Sequence, residues 1–309
     1  MAATNPDLRR SLTGISGILV TPFNDQDEVV PGRLTDIIER SITAGVHILV
    51  ANGNTGEFYG LTTTEAERMV HQTAELVRGR VPLLGGVGRS IKDACTLARA
   101  TRAAGATGLM IHQPPDPFVS PRGVIDYVKR VAEAGDGLPL MLYLRNETIG
   151  LDAIAQLCAV EGVIGVKWAS PTPLRLAEAM RRTDPTIIWV GGLAETWAPP
   201  LYAVGARGFT SGLINVWPER SVAIHAALEA GDYQRAANLI DEISGFESLR
   251  AEEQNGTNVT TVKAALRLLD NDCGPTRPPS AWPLTEPQSS KLVRLLQDWR
   301  LLTEAGTRA

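Results

Sequence analysis

Apolar residues are concentrated along the chain in short runs that alternate with segments of helical periodicity. Runs of Val, Ile, Leu and Gly, each followed by a turn of small residues, recur eight times. Near-continuous apolar runs of this length predict strands that are buried on both faces of a parallel sheet. The predicted strands cover residues 15–20, 47–51, 81–87, 107–112, 138–143, 163–167, 186–191 and 207–211.

Amphipathic helices are predicted between these strands, because apolar residues there recur every three or four positions. Successive strand ends are about 27 residues apart, close to the roughly 30 residues of a β-α-β unit. Eight such units predict an α/β fold, a closed (β/α)8 TIM barrel over residues 15–235, with an open doubly wound sheet as the alternative. The clearest helices are Arg33–Ala44, Thr64–Arg78, Ile91–Ala104, Gly123–Ala134 and Pro173–Arg182.

The two ends of the chain lack this alternation. We interpret residues 1–14 as a flexible lead-in to the first strand. Residues 236–309 are predicted to form a C-terminal helical segment, which a proline-rich linker interrupts at residues 274–279. The helices predicted after the eighth strand cover residues 222–230, 233–249, 260–269 and 288–302.

Composition and charge narrow the classes of molecule that the protein is expected to bind. The chain has 30 Lys and Arg and 34 Asp and Glu, a net charge of −4, which argues against nucleic acid or an anionic membrane as a partner. No apolar run approaches the roughly 18 residues that cross a bilayer. Cys95, Cys158 and Cys273 lack CxxC spacing, and we interpret them as buried structural thiols in a reducing cytoplasm. The histidines show no metal-binding spacing, so we expect neither a metal nor another cofactor.

Lys167 is the strongest single indication of chemistry. Barrel enzymes carry reactive groups at the carboxyl ends of strands, and Lys167 ends the apolar run Val163–Val166. A poorly solvated amine has a lowered pKa, and its neutral form attacks a ketone. The structural alternative is a lysine paired with a carboxylate at the barrel rim. The other four lysines fall on predicted helices, where solvated positions are expected, at Lys92, Lys129, Lys263 and Lys291.

Three further features are expected at the same rim. Tyr143 ends the preceding strand, where a phenol either carries protons for an imine-forming lysine or simply packs. The loop Gly53–Gly56 offers closely spaced backbone N–H groups and a hydroxyl, which suit a carboxylate or a phosphate. His112 ends a strand too, either as an acid or base or as a packed side chain.

The joint order of these motifs resembles the dihydrodipicolinate synthase / N-acetylneuraminate lyase family of class I aldolases. The resemblance covers nearly the whole chain and rests on Gly53–Glu57, the tyrosine that closes strand 5, Gly165–Lys167 and Gly208–Asn215. It implies a barrel with C-terminal helices, assembled as a homotetramer or homodimer. It also implies a lysine that forms a Schiff base with pyruvate or another 2-keto acid.

Carried over to this sequence, the resemblance assigns catalytic roles to two residues. Lys167 is the expected Schiff-base lysine, and Tyr143 is the expected proton-carrying phenol. Thr55 and the neighbouring loop amides are expected to bind the carboxylate of the keto acid. The predicted substrate-binding residues are Asn54, Thr55, Gly56, Arg145, Gly192 and Ser211.

The chain departs from the synthase branch of that family. Synthases carry two threonines before Gly-Glu in the loop, where this chain has Asn54 first, and Thr148 stands at their arginine position. The stretches 56–62, 191–193 and 275–279 look more like 5-dehydro-4-deoxyglucarate dehydratases, which remove water and carbon dioxide from a keto-deoxy sugar diacid. We therefore expect a dehydratase or aldolase of a keto-deoxy sugar acid, with a pyruvate-dependent synthase as the alternative.

Arg145 and Arg89 are the cations predicted to clamp a remote substrate carboxylate. Two functions of other classes also fit the residues. A phosphate-binding barrel would use Gly191–Gly192 and Thr210–Gly212 after strands 7 and 8. A catalytically silent barrel would keep the ligand pocket without turnover.

Overall fold

The computed structural model describes residues 7–303, and its centre is a closed barrel of eight parallel strands. Each strand pairs with the next in sequence order, and β1 pairs with β8. This closure confirms the predicted (β/α)8 barrel and excludes the open sheet. The strands are β1 (Ile15–Ile18), β2 (Ile48–Ala51), β3 (Leu83–Val87), β4 (Gly108–His112), β5 (Leu140–Leu144), β6 (Val163–Trp168), β7 (Ile188–Gly191) and β8 (Phe209–Ser211).

The strands are apolar along their length because both of their faces are covered. Side chains that point outward join the large core between strands and helices. Those that point inward, such as Val50, Met110 and Met141, fill the barrel interior as a second cluster. This double burial explains why the runs are continuous and not alternating.

Helices follow every strand, as predicted, although two of them were not among the clearest helices of the sequence. α6 and α8 have only eight and six residues, about two turns each, and the first turn of α8 contains two prolines, so the helical period extends over few residues. The helices from the first strand onward are α2 (Thr35–Ala44), α3 (Thr63–Val77), α4 (Ile91–Ala103), α5 (Pro121–Gly135), α6 (Leu151–Cys158), α7 (Pro173–Arg181), α8 (Ala198–Ala203) and α9 (Pro218–Glu229).

The N-terminal segment differs from the predicted flexible lead-in over residues 1–14. Leu8–Leu12 form a short helix, α1, whose N-terminus the side chain of Asp7 caps. Leu8 and Leu12 are buried in the inner cluster, near the first residues of β4 and β6. The helix therefore closes the barrel at the amino ends of its strands. Residues 1–6 lie outside the described residues.

Three helices follow the barrel: α10 (Tyr233–Asn255), α11 (Asn258–Leu268) and α12 (Glu286–Asp298). α10 begins inside the range predicted for the barrel, 15–235. Its regular backbone ends before Glu252, and Glu253 and Gln254 are left-handed. This break turns the chain back over the carboxyl ends of the strands. Across residues 7–303, no helix is both long enough and apolar enough to cross a membrane.

Candidate active site

The reactive side chains of β5 and β6 lie side by side at the carboxyl end of the barrel. Tyr143 and Lys167 are register partners in the two strands, and Nζ of Lys167 lies 3.8 Å from the centre of the Tyr143 ring. Lys167 is only 3% exposed. The charged group that shifts its pKa is the guanidinium of Arg145 and not a carboxylate, which argues against a structural ion pair at the rim.

The surroundings of Lys167 favour its neutral amine. Burial lowers its pKa to about 7, and the positive charge of Arg145 acts in the same direction. Desolvation disfavours the ammonium because a low-dielectric site solvates it poorly. A substantial fraction of the side chain is therefore a nucleophile at neutral pH.

Tyr143 is held by an amide of the loop after β2. Nδ2 of Asn54 donates a hydrogen bond to the Tyr143 hydroxyl oxygen at 2.9 Å. Burial raises the pKa of Tyr143 to about 12, so the phenol is protonated at neutral pH. Because its oxygen already accepts from Asn54, its O–H is free to donate toward the space above Lys167.

The loop after β2 presents Asn54 and Thr55 to this space and keeps Gly56 behind them. Asn54 and Thr55 line the cavity above the barrel. The carbonyl oxygen of Gly56 accepts a hydrogen bond from Oγ1 of Thr21 at 2.6 Å, and a Cβ at Gly56 would lie 2.9 Å from the carbonyl oxygen of Leu19. Gly56 therefore shapes the loop and does not line the cavity.

One cavity of about 780 Å³ joins most of the predicted site residues. It extends from Lys167 outward between the strand ends and the C-terminal segment. The predicted residues that line it are Lys167, Tyr143, Asn54, Thr55, Arg145 and Gly192.

Ser211 is placed elsewhere. Its hydroxyl donates to Oε1 of Glu195 at 2.5 Å and lies 3.1 Å from the hydroxyl of Ser221, behind the strand. Neighbouring residues of a strand point to opposite faces, so Thr210 and Gly212 line the cavity in its place. The sequence identified the correct strand end but not which residues of it face inward.

Glu195 is a buried acid that the sequence did not indicate. It is fully buried, and both Ser211 and Ser221 donate to its Oε1 at 2.5 Å. Burial, and then the charge of Glu247, raise its pKa to about 7. Glu247 itself lines the cavity from α10. No sequence motif indicates Glu195, because the groups that surround it, Ser211, Ser221 and Glu247, lie far from it in sequence.

His112 and Arg89 lie beside the cavity and do not line it. The His112 ring stacks on Phe58 at 4.4 Å, and its Nε2 lies 3.0 Å from the carbonyl oxygen of Asn52. Burial lowers the pKa of His112 to about 3, which keeps the ring neutral. The Arg89 guanidinium lies over Phe58 at 4.5 Å and donates to its carbonyl oxygen. Of the two predicted clamps, only Arg145 faces the cavity.

A buried ion pair joins the loop after β2 to the C-terminal segment. Nζ of Lys263, expected on a solvated helix face, is instead fully buried 2.6 Å from Oε1 of Glu57. It also donates to the carbonyl oxygen of Pro275 at 2.9 Å, and Oε2 of Glu57 accepts from the backbone N–H of Arg277. The helical period placed Lys263 on α11 but could not show that this part of α11 packs on the barrel. The ion pair between Glu57 and Lys263 therefore holds the loop after β2, which also carries Thr55, against the C-terminal segment.

Metal-binding groups are sparse in the described chain. Residues 7–303 contain no cluster of three His, Cys, Asp or Glu side chains that could hold a metal ion. Cys158 and Cys273 are buried free thiols, whereas Cys95 is partly exposed, unlike the prediction for it.

Comparison with known proteins identifies the family of the chain. The sequence profile of the dihydrodipicolinate synthetase family matches residues 11–299. The chain belongs to this family. A probable 5-dehydro-4-deoxyglucarate dehydratase from Rhizobium rhizogenes is 31% identical over 304 residues, which cover 95% of this chain and 97% of the relative.

Solved structures of the dihydrodipicolinate synthetase family share the fold. Dihydrodipicolinate synthase from Bacillus clausii superposes with a TM-score of 0.91 at 34% identity, covering 95% of this chain and all of that one. A prophage protein of the family from E. coli K12, in complex with pyruvate, has a TM-score of 0.82 at 25% identity, covering 92% and 97%. The membership confirms the resemblance, and the chain is a lyase of the class I aldolase type.

Proposed function

We propose that this lyase forms a Schiff base between Lys167 and the C2 ketone of a keto-deoxy sugar acid and eliminates water from it. The buried amine of Lys167 beside Tyr143 carries this proposal. The pyruvate bound to a family member of known structure supports a 2-keto acid as the ligand class.

The reaction follows from the groups around Lys167. Its neutral Nζ attacks C2, and loss of the ketone oxygen as water leaves an iminium. The iminium withdraws electrons, so a C3 proton can leave and an enamine forms. The enamine then expels the C4 hydroxyl group, which takes up a proton and departs as water. Hydrolysis of the remaining imine consumes one water and restores the amine.

Tyr143 is the proposed proton carrier of these steps. The centre of its ring lies 3.8 Å from Nζ of Lys167, and Nδ2 of Asn54 donates to its hydroxyl oxygen. The protonated phenol donates to the departing ketone oxygen and takes the proton back when the imine is hydrolysed. Asn54 is a positioning residue in this scheme.

The carboxylates of the substrate would be bound at two places. Thr55 and the loop amides, held in place by the Glu57–Lys263 pair, receive the carboxylate next to the ketone. Arg145 faces the cavity and forms no side-chain ion pair within residues 7–303, so it is available for a second carboxylate. A diacid substrate would occupy both places, and such a substrate agrees with the name of the R. rhizogenes relative.

The second candidate is a pyruvate-dependent synthase, which the Bacillus clausii structure favours. The protein is therefore incubated separately with a keto-deoxy hexarate and with pyruvate plus aspartate semialdehyde, and the products are identified by mass spectrometry. The dehydratase proposal expects a product that has lost water, with or without carbon dioxide, in the first mixture and no condensation in the second. Condensation without dehydration would replace the dehydratase proposal by the synthase.

We also propose that the enzyme is cytoplasmic and forms a homotetramer or homodimer. Light scattering tests this oligomeric state.

A further inference from the structure

The two walls of the outer cavity differ in chemistry. The loop after β7 contributes Leu193, Ala194, Thr196 and Trp197, whose side chains offer hydrogen-bonding groups only at the Thr196 hydroxyl and the indole N–H. The opposite wall is polar and comes from the C-terminal segment, with Glu247, Arg250, Gln254, Asn255 and Asn258. The substrate chain beyond C3 would therefore meet most of its side-chain hydrogen-bonding partners on the C-terminal segment.

Arg250 is the centre of this polar wall. Its Nη1 lies 2.7 Å from Oε1 of Glu247, and its Nη2 donates to Oδ1 of Asn258 at 3.0 Å. The residue is 4% exposed, and its Nε is buried without a hydrogen-bond partner among residues 7–303. A buried donor without a partner is costly unless a ligand satisfies it.

Arg250 also borders the reacting end of the cavity. A Cβ at Gly212 would lie 2.6 Å from Nη2 of Arg250 and 3.1 Å from Oγ1 of Thr55. A substrate that extends from Lys167 past Gly212 therefore passes the guanidinium. The absence of a side chain at Gly212 keeps this passage open.

The positive charge of Arg250 is already balanced by Glu247. This balance decides which kind of ligand group Arg250 can bind. Paired with Glu247, it forms a neutral unit, whereas Arg145 keeps its positive charge for an anion. A guanidinium beside a carboxylate offers a donor and an acceptor side by side. A hydroxyl group uses both, since it donates one hydrogen bond and accepts others.

The backbone next to this pair is held in a rarely populated conformation. Glu253, Gln254 and Asn255 have φ values of 51°, 59° and 68° in succession. Left-handed backbone is unfavourable for residues other than glycine, and such conformations cluster at functional sites. The strained turn brings Gln254 and Asn255 into the cavity wall.

We infer that Arg250, together with Glu247 and Asn258, determines specificity by binding the hydroxyl groups that a keto-deoxy sugar acid carries beyond C3. The inference rests on the proposed function, because Lys167 must hold C2 for the chain to reach this wall. Pyruvate, which has no such hydroxyls, does not depend on the three residues.

The test compares two ligands on Glu247→Gln, Asn258→Ala and Arg250→Lys, after melting curves have shown that each variant folds. Pyruvate and a 2-keto-3-deoxyhexonate, which has hydroxyls but no second carboxylate, are trapped with borohydride over a concentration series. We expect the half-saturating concentration of the hexonate to rise roughly 10- to 100-fold, as for lost hydrogen bonds to charged groups. That of pyruvate stays within about twofold.

Each other outcome overturns the inference. A parallel loss for pyruvate would place Arg250 at the carboxylate next to the ketone, and equal trapping of both ligands in all variants would leave the wall without a role. If the wild-type protein traps neither ligand, the proposed function fails and this inference fails with it. Normal trapping of pyruvate with an unchanged response to the hexonate overturns the inference alone.

Discussion

Replacement of Glu57 by Gln tests whether the buried ion pair holds the site loop to the C-terminal segment. Lys263 is fully buried and Glu57 has a side-chain exposure of 6%. Glu57→Gln keeps the shape but leaves an ammonium without its counter-ion. Removal of one partner from a buried pair costs about 3–5 kcal/mol, because the remaining charge stays desolvated.

This loss should be visible in thermal unfolding. For a domain of this size, 1 kcal/mol shifts the Tm by roughly 2–4 °C, so we expect a fall of roughly 10 °C. The pair between Arg80 and Glu39 is a matched control, since it has the same 2.6 Å separation but side-chain exposures of 35% and 51%. Exposed pairs contribute little, and Glu39→Gln should leave the Tm nearly unchanged.

The double variant Glu57→Gln/Lys263→Met separates the lost pair from the lost side chains. Replacement of both members of a buried pair is often close to neutral, so the double variant should recover much of the stability that Glu57→Gln loses. Differential scanning calorimetry of the wild type, Glu57→Gln, Lys263→Met and the double variant gives the coupling energy between the two side chains. Equal shifts for Glu57→Gln and Glu39→Gln, or a double variant less stable than either single one, would refute the reasoning.

Four further predictions concern the site. The rate of imine formation should rise with pH and level off above about 7, because the lowered pKa of Lys167 makes its amine neutral there; a pH series of borohydride trapping measures this. Tyr143→Phe should lower kcat about 10²- to 10⁴-fold with an unchanged circular dichroism spectrum, as expected for a lost proton carrier. Arg145→Gln should raise KM for a diacid substrate at least about tenfold, as measured by initial rates, and should move the pH profile of pyruvate trapping to higher pH, because the charge that helps lower the pKa of Lys167 is lost. The raised pKa of Glu195 means that its stabilising contribution is full below pH 4.5 and is lost as the pH rises through about 7; urea titrations should therefore show the wild type losing stability relative to Glu195→Gln over that interval.

The barrel and its reacting centre were accessible from sequence because both depend on local patterns. Doubly buried strands give continuous apolar runs, and the carboxyl end of each run is where barrel enzymes carry their chemistry. Lys167 and Tyr143 end neighbouring strands, so their side-by-side placement follows from the parallel register.

The remainder of the site depends on contacts that no local pattern records. Thr210, and not Ser211, lines the cavity. The sequence of so short a strand does not show which of its residues face inward. The places of Arg250 and Glu195 in the site depend on the way α10 packs over the rim of the barrel. Lys263 lies on a helix, as predicted, but tertiary packing decided that this position is buried.

Borohydride reduction in the presence of pyruvate tests the central claim most directly. After peptide mapping by mass spectrometry, the account predicts one modified residue, Lys167, with the mass of a reduced pyruvate adduct, and no adduct in Lys167→Arg. Lys129, a lysine outside the cavity, serves as the internal control and should stay unmodified. An unmodified Lys167 with pyruvate and with keto-deoxy sugar acids, or equal labelling of Lys129, would contradict the account.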